Sequence, residues 1–173
     1  MCEDKENFIM IDKIDLLDLK ELRKNKVLEL IIFFDNSSSI NKINFTKIFD
    51  KIISSLNSND IISIYSFNDK ITKYYEKIHI NSDNKIMISN LKTKINYNGC
   101  TDLGLIFKYM FKYKNNFKDR TVLIITDGIF NIGITDNKIL KRLINNIVSI
   151  LNIKKYYINV NNMLLTDTLY TFN

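Results

Sequence analysis

Residues 27–39, VLELIIFFDNSSS, decide how this chain of 173 residues folds. The first eight of them form a nearly continuous apolar run, which is typical of a strand buried on both faces of a sheet. A polar loop that begins with Asp35 ends the run. Residues 121–128, TVLIITDG, repeat the arrangement, because a second apolar run ends in Asp127. Strands of this kind lie in sheets that carry helices on both faces, so an α/β fold is predicted.

The rest of the chain alternates between strand and helix patterns. Further strands are predicted over residues 61–67, 72–80 and 155–160. Apolar residues at helical spacing predict helices over residues 45–56, 84–95, 103–111 and 140–151. Three of these helices have candidate caps before their first residues. They are Ser39 or Asn41 for the helix over 45–56, Thr101 or Asp102 for that over 103–111, and Thr135 or Asp136 for that over 140–151. Such alternation predicts a three-layer, doubly wound, mostly parallel sheet, with residues 72–80 as one antiparallel edge strand.

The composition is that of one ordinary globular domain, with 46% hydrophobic and 25% charged residues. No apolar run reaches the roughly 18 to 20 residues that span a bilayer, and the polar first residues do not resemble a signal peptide. Cys2 and Cys100 are far apart, so they predict neither a disulfide framework nor a zinc site, and Cys100 is expected to be a semi-buried filler. We therefore expect a cytoplasmic protein that does not associate with membranes.

The net charge of +6 raises the question of nucleic-acid binding. Only three of the 25 basic residues are arginine, namely Arg23, Arg120 and Arg142. Arginine provides the bidentate fork that recognises guanine and phosphate, and lysine cannot reproduce it. The lysines are also spread along the chain, which indicates a solvated surface, so no nucleic-acid partner is expected.

Two aspartates and three hydroxyl residues are expected to meet at the carboxyl edge of the predicted sheet. Asp35 ends one strand, and Ser37 and Ser39 follow it on alternate positions. Asp127 ends another strand, and Thr101 lies in a loop flanked by glycines. Open α/β sheets bind ligands beyond the carboxyl ends of their strands. Carboxylate and hydroxyl oxygens suit hard cations, so these residues predict a site for Mg²⁺ or Mn²⁺.

The three motifs resemble those of von Willebrand factor A domains, whose metal-ion-dependent adhesion site reads D-x-S-x-S, then a threonine, then an aspartate. Residues 35–39, DNSSS, match the first element. Residues 99–104, GCTDLG, are similar to the threonine loop, and residues 124–128, IITDG, to the aspartate loop. The resemblance implies a Rossmann-like domain of the von Willebrand factor A type over residues 27–173, preceded by an N-terminal extension of residues 1–26.

The resemblance also implies a role for each site residue. Ser37 and Ser39 would coordinate the metal directly, and Thr101 would do so directly or through water. Asp35 and Asp127 would act largely through water. The metal would then bind an acidic residue of a partner protein, so binding rather than catalysis is implied.

The two ends of the chain carry weaker expectations. The family usually continues beyond residue 160 with a helix and a final strand, so the C-terminus looks shortened, with residues 169–172 as a candidate last strand. Within the extension, residues 14–23 have the pattern of a short amphipathic helix that could dock on the domain or mediate association. The identity of the partner and the oligomeric state do not follow from the residues.

Two other function classes stay open beside a metal-dependent interaction domain. Aspartate and serine are favoured in ordinary loops and helix caps, so the domain could be a scaffold whose metal binding is incidental or lost. A Mg²⁺-dependent phosphoryl-transfer enzyme of the haloacid-dehalogenase type would use Asp35 as its nucleophile. Such an enzyme needs a second carboxylate two residues later, where this chain has Ser37. Catalysis is therefore not expected.

Overall fold

A computed structural model describes residues 9–10 and 27–159, and the side chains of residues 27–153. Its six strands are β1 (Ile9–Met10), β2 (Glu29–Asp35), β3 (Ile61–Phe67), β4 (Ile71–His79), β5 (Thr121–Thr126) and β6 (Lys154–Asn159). They form one sheet in the order β1-β6-β5-β2-β3-β4. Every neighbouring pair is parallel except β3 and β4, which are antiparallel. The predicted mostly parallel sheet with one antiparallel edge strand is confirmed.

The helices are α1 (Lys42–Ser55), α2 (Ser82–Ser89), α3 (Leu103–Lys112), α4 (Lys114–Phe117) and α5 (Asn137–Leu151). The side chains that cap α1, α3 and α5 are Asn41, Asp102 and Asp136. The helix predicted over residues 84–95 is shorter, because α2 passes into a 3-10 helix at Asn90–Thr93. There the Thr93 hydroxyl donates a hydrogen bond to the Asn90 carbonyl, a local bond of the kind that competes with regular helix.

The central strand β2 is buried on both faces, as its apolar run predicts. Leu30, Ile32 and Phe34 belong to the core on one side of the sheet, which α1 and α2 cover. Ile31 and Phe33 belong to the core on the other side, which α3, α4 and α5 cover. The alternation of side chains along a strand produces the two cores, and helices on both faces make three layers.

The sheet order brings the carboxyl ends of β2 and β5 side by side. The two strands pair in parallel register from Leu30 with Thr121 to Phe34 with Ile125. Asp35 pairs with Phe67 at the end of β3, on the other side of β2. The loops that follow β2, β3 and β5 therefore share one edge of the sheet, where ligand sites of this architecture form.

Strand β1 lies within the predicted N-terminal extension, yet it pairs in parallel with β6 at the edge of the sheet, Ile9 with Tyr156 and Met10 with Tyr157. The domain boundary at residue 26 stays a prediction. The helix predicted over residues 14–23 and the strand predicted over residues 169–172 lie outside the described residues. Within the described ranges, none of the helices has the length and apolar character needed to cross a membrane.

Candidate metal centre

The loop after β2 turns tightly around the carboxylate of Asp35. Asp35 is completely buried, and its Oδ1 accepts a hydrogen bond of 2.9 Å from the Ser37 N–H. This bond, from a residue two positions later, is the turn that an aspartate forms with its own loop. The hydroxyl oxygens of Ser37 and Ser39 lie 3.1 Å apart, with Ser37 buried and Ser39 exposed. The loop therefore presents two adjacent hydroxyls, one toward the interior and one toward solvent.

Thr101 reaches the same carboxylate from a loop 66 residues away in sequence. Its Oγ1 donates to Asp35 Oδ2 at 3.3 Å, and the residue is only 1% exposed. The Thr101 loop is joined to the β2 loop, because the Asn98 N–H donates to the Asn36 carbonyl and the Ser38 N–H donates to the Gly99 carbonyl. The left-handed φ of +75° at Gly99 makes this turn possible.

The loop after β5 brings Asp127 to the edge through its neighbour Thr126. The Thr126 Oγ1 donates a hydrogen bond of 2.8 Å to Asp35 Oδ2 and accepts one of 3.2 Å from the Gly128 N–H. Asp127 Oδ1 accepts a 3.0 Å hydrogen bond from the Ile129 N–H. Asp127 Oδ2 is buried and has no hydrogen-bond partner in the described part of the structure. The Oδ2 atom of Asp127 is therefore removed from solvent without a hydrogen bond that would replace its contacts with water.

The electrostatics of the edge are unfavourable for two negative charges. Burial raises the pKa of the Asp35 carboxyl above its usual value, and the negative charge of Asp127 raises it further. Hydrogen bonds from Ser37 and Thr126 oppose this and lower the same pKa. The raised pKa shows that desolvation and repulsion exceed the stabilisation that the hydrogen bonds provide.

The residues at the edge fit a hard divalent cation. The side chains of all five predicted ligands offer oxygen atoms, the ligand atoms that Mg²⁺ and Mn²⁺ prefer. In addition, the buried Asp127 Oδ2 has no hydrogen-bond partner among the described residues, and a buried carboxylate is stabilised by a nearby positive charge. No group of three or more His, Cys, Asp or Glu side chains that could hold a metal occurs in the described residues. A cation site at this edge therefore depends on hydroxyl ligands beside the two carboxylates.

All five predicted site residues reach one edge of the sheet. Hydrogen bonds link Asp35 to Ser37 and Thr101, and Ser37 lies beside Ser39. Asp127 joins them through Thr126, its neighbour in sequence, which bonds Asp35. Coordination of a metal by these residues stays a prediction.

The predicted semi-buried position of Cys100 is wrong, and several polar residues at this edge were not predicted. Cys100 is exposed rather than semi-buried, because its neighbour Thr101 faces the interior. Asp102, one of the two candidate caps, caps α3 by accepting a hydrogen bond from the Leu105 N–H. Thr126 stands next to Asp127 at a strand end, a signal that could have found it. Asn36, Asn68 and Asn131 bond the backbone of the Thr101 loop through their side chains, and nothing in the sequence indicates this role.

Comparison with protein-family models and with curated proteins finds no match. Solved structures do match. One of them is a von Willebrand factor type A protein from Catenulispora acidiphila, which is 13% identical to this chain and superposes with a TM-score of 0.62. The match covers 76% of this chain and 33% of that chain. The chain has the von Willebrand factor A fold. Two further structures with this fold are manganese-loaded TRAP protein from Plasmodium vivax and the conserved hypothetical protein BatB from Bacteroides thetaiotaomicron.

These two similarities are also structural rather than close in sequence. TRAP is 17% identical with a TM-score of 0.59, over 77% of this chain and 57% of that chain. BatB is 16% identical with a TM-score of 0.54, over 75% of this chain and 65% of that chain. The chain thus matches from one third to about two thirds of the length of these three structures. The von Willebrand factor A fold explains why the loops after β2 and β5 share one edge.

Proposed function

We propose that this chain is a divalent-cation-dependent protein-interaction domain that binds an acidic residue of a partner protein. The residues that would hold Mg²⁺ or Mn²⁺ are Asp35, Ser37, Ser39, Thr101 and Asp127. The observation that supports this most directly is the buried, unpartnered Oδ2 of Asp127 beside the buried carboxylate of Asp35. Two desolvated carboxylates close together cost free energy unless a positive charge lies between or beside them.

The hydroxyls and carboxylates at this edge have different tasks in the proposal. Ser37 and Ser39 contribute neutral oxygens from one loop, and Thr101 contributes a third from another. Asp35 orients these loops through its hydrogen bonds to the Ser37 N–H and the Thr101 hydroxyl. A bound cation would have an open coordination position, which a carboxylate oxygen of the partner could fill. Because the hydroxyls are neutral, they leave part of the cation's charge available to attract that carboxylate.

Binding, rather than catalysis, is the function that these residues support. A phosphoryl-transfer mechanism at Asp35 would need an acid–base carboxylate at position 37, and the Ser37 hydroxyl there lies beside the Ser39 hydroxyl. The net charge of +6 also favours encounter with a negatively charged partner surface. The TRAP structure is manganese-loaded, which supports Mn²⁺ as an alternative to Mg²⁺ here.

Thermal unfolding of the full chain in EDTA, Mg²⁺ and Mn²⁺ tests the cation site. A cation at 100 times its dissociation constant should raise the free energy of unfolding by about 2.7 kcal/mol. For a chain of this size, that gain corresponds to a rise in Tm of roughly 5 to 10 °C. An unchanged Tm at millimolar Mg²⁺ and Mn²⁺ would overturn the proposed function.

Two variants and one control test which residues bind the cation. Asp127→Asn removes the charge without changing the shape, and Ser39→Ala removes an exposed hydroxyl, so both should lose most of the cation-induced rise in Tm. Asp127→Asn should also equal or exceed the wild type in Tm in EDTA, because one of two repelling buried carboxylates is gone. The control, Asp119→Asn, makes the same charge change at the opposite end of β5 and should keep the full rise.

A carboxylate probe tests the binding function separately. N-acetylglutamate amide should shift the amide resonances of Ser39 and Thr101 in the presence of Mg²⁺ and not in EDTA. N-acetylglutamine amide, which has the same shape without the charge, should leave them unshifted. Equal shifts with both probes would contradict recognition of an acidic group.

A further inference from the structure

The Thr101 loop is held by asparagine side chains from three neighbouring loops. The Asn36 Nδ2 donates to the carbonyl of Asn96 at 3.0 Å, and the Asn68 Nδ2 donates to the carbonyl of Asn98 at 3.0 Å. On the other side, Asn131 Oδ1 accepts a hydrogen bond of 2.8 Å from the Thr101 N–H. Each of these bonds joins a side-chain amide to the backbone, so each one fixes the path of the loop.

Asn131 is the one of the three that bonds the site residue itself. Its backbone N–H also donates to the Thr101 carbonyl at 3.2 Å, so Asn131 bonds both backbone groups of Thr101. The Ile132 N–H donates to the same carbonyl at 3.4 Å. Thr101 therefore has its backbone fixed from the loop that also carries Asp127, four residues before Asn131.

A second contact joins the same two loops. Gly133 has a left-handed φ of +77°, and a Cβ atom at this position would lie 2.2 Å from the Asp102 carboxyl carbon. Only glycine can approach the Asp102 cap of α3 this closely. The loop after β5 thus contacts Thr101 through Asn131 and contacts Asp102 through Gly133.

We propose that Asn131 is a positioning residue that fixes the Thr101 hydroxyl against Asp35 and thereby sets the affinity of the cation site. The inference rests on the proposed function for its link to the cation. The Thr101 hydroxyl lies 3.3 Å from Asp35 Oδ2, and Asn131 bonds the backbone N–H and carbonyl of the same residue. Groups that orient metal ligands typically change metal affinity by 10- to 100-fold when they are removed.

The exposed position of Asn131 makes the inference testable without unfolding the domain. The variants are Asn131→Ala, which removes the acceptor, and Asn131→Asp, which keeps an oxygen at the same place. Asn137→Ala, at an exposed position on the first turn of α5, is the control. The Mg²⁺ dissociation constant is measured by titration calorimetry, and amide exchange at Thr101 is measured by NMR in EDTA.

We expect Asn131→Ala to weaken Mg²⁺ binding at least tenfold and to accelerate exchange of the Thr101 N–H at least tenfold. Asn131→Asp and Asn137→Ala should stay within twofold of the wild type in both measurements. Retention of Mg²⁺ binding and of slow exchange by the aspartate variant separates positioning from a general structural role, because aspartate keeps the hydrogen-bond acceptor that alanine lacks.

Other outcomes would overturn the inference. Mg²⁺ binding by Asn131→Ala within twofold of the wild type, or equal weakening by alanine and aspartate, contradicts a positioning role. If the wild type binds no Mg²⁺, the proposed function fails. In that case hydrogen exchange of the Thr101 N–H is the measurement that tests whether Asn131 positions Thr101. Faster exchange with alanine and not with aspartate would support positioning, and unchanged exchange would exclude it.

Discussion

At the scale of single residues, burial among aromatic rings controls the acid–base behaviour of Tyr65. Its ring stacks on Phe33 with centroids 4.9 Å apart and packs against Phe117 at 6.1 Å. Burial raises the pKa of the Tyr65 hydroxyl well above its usual value, and the charge of Glu76 adds to the effect. The folded state therefore favours the protonated phenol, and its stability depends on pH in the alkaline range.

We expect Tyr65→Phe to weaken the alkaline loss of stability. Because the pKa of Tyr65 is higher in the folded state than in the unfolded chain, its stabilising contribution is complete below about pH 10 and is lost as the pH rises further. Between pH 9 and pH 11, the wild type should lose about 1.4 kcal/mol more of its free energy of unfolding than the variant does. Urea unfolding at the two pH values measures the difference.

The control for this comparison is Tyr113→Phe, at an exposed tyrosine. It should lose stability with pH as the wild type does. If Tyr65→Phe and the wild type lose the same free energy between the two pH values, burial does not determine the ionisation of Tyr65 in the folded protein.

At the scale of elements, α5 shows how a helix follows from its local pattern. Asp136 caps its start by accepting hydrogen bonds from the Lys138 and Ile139 N–H groups. Asn152 ends it in the left-handed conformation, with φ at 49°. One face is buried in the core on the α5 side of the sheet, through Leu140, Ile144, Ile147 and Leu151. Caps and periodicity are short-range signals, so they predict this helix from sequence.

We expect Ile147→Ala to destabilise the domain far more than Ile150→Ala. Ile147 is 5% exposed and Ile150 is 59% exposed on the same helix. The buried substitution removes apolar contacts and leaves a cavity, at a cost of about 2 to 4 kcal/mol. The exposed one should change the free energy of unfolding by less than about 0.5 kcal/mol. If urea unfolding shows a similar loss of free energy of unfolding for the two variants, α5 packs on the sheet through a different face.

At the scale of the whole molecule, the position of β1 at the edge of the sheet is a feature that the sequence pattern did not predict. Its two residues pair with the outer edge of β6, whereas β5 pairs with β6 through six residues on the other side. An unpaired edge strand offers free backbone groups to another chain. Strand β1 therefore protects part of an edge that the rest of the described sheet leaves open.

We expect deletion of residues 2–26 to lower the free energy of unfolding by about 1 to 3 kcal/mol, because the backbone hydrogen bonds between β1 and β6 are lost. The shortened chain should also self-associate through the exposed edge. Urea unfolding and light scattering measure the two effects. Deletion of residues 2–8 keeps β1 and should behave as the full chain, so equal results for both deletions would contradict a role for β1.

The sequence alone determined the buried strands, three of the four predicted helices, and the positions of Asp35 and Asp127 at strand ends. These features depend on hydrophobic periodicity and capping, which act over a few residues. The tertiary structure decided the contacts between loops. It placed Thr126 against Asp35 across 91 residues and Asn131 against Thr101 across 30. It also left Asp127 Oδ2 buried without a partner in the described residues. Such contacts depend on where packing places the strand ends, so no local pattern encodes them.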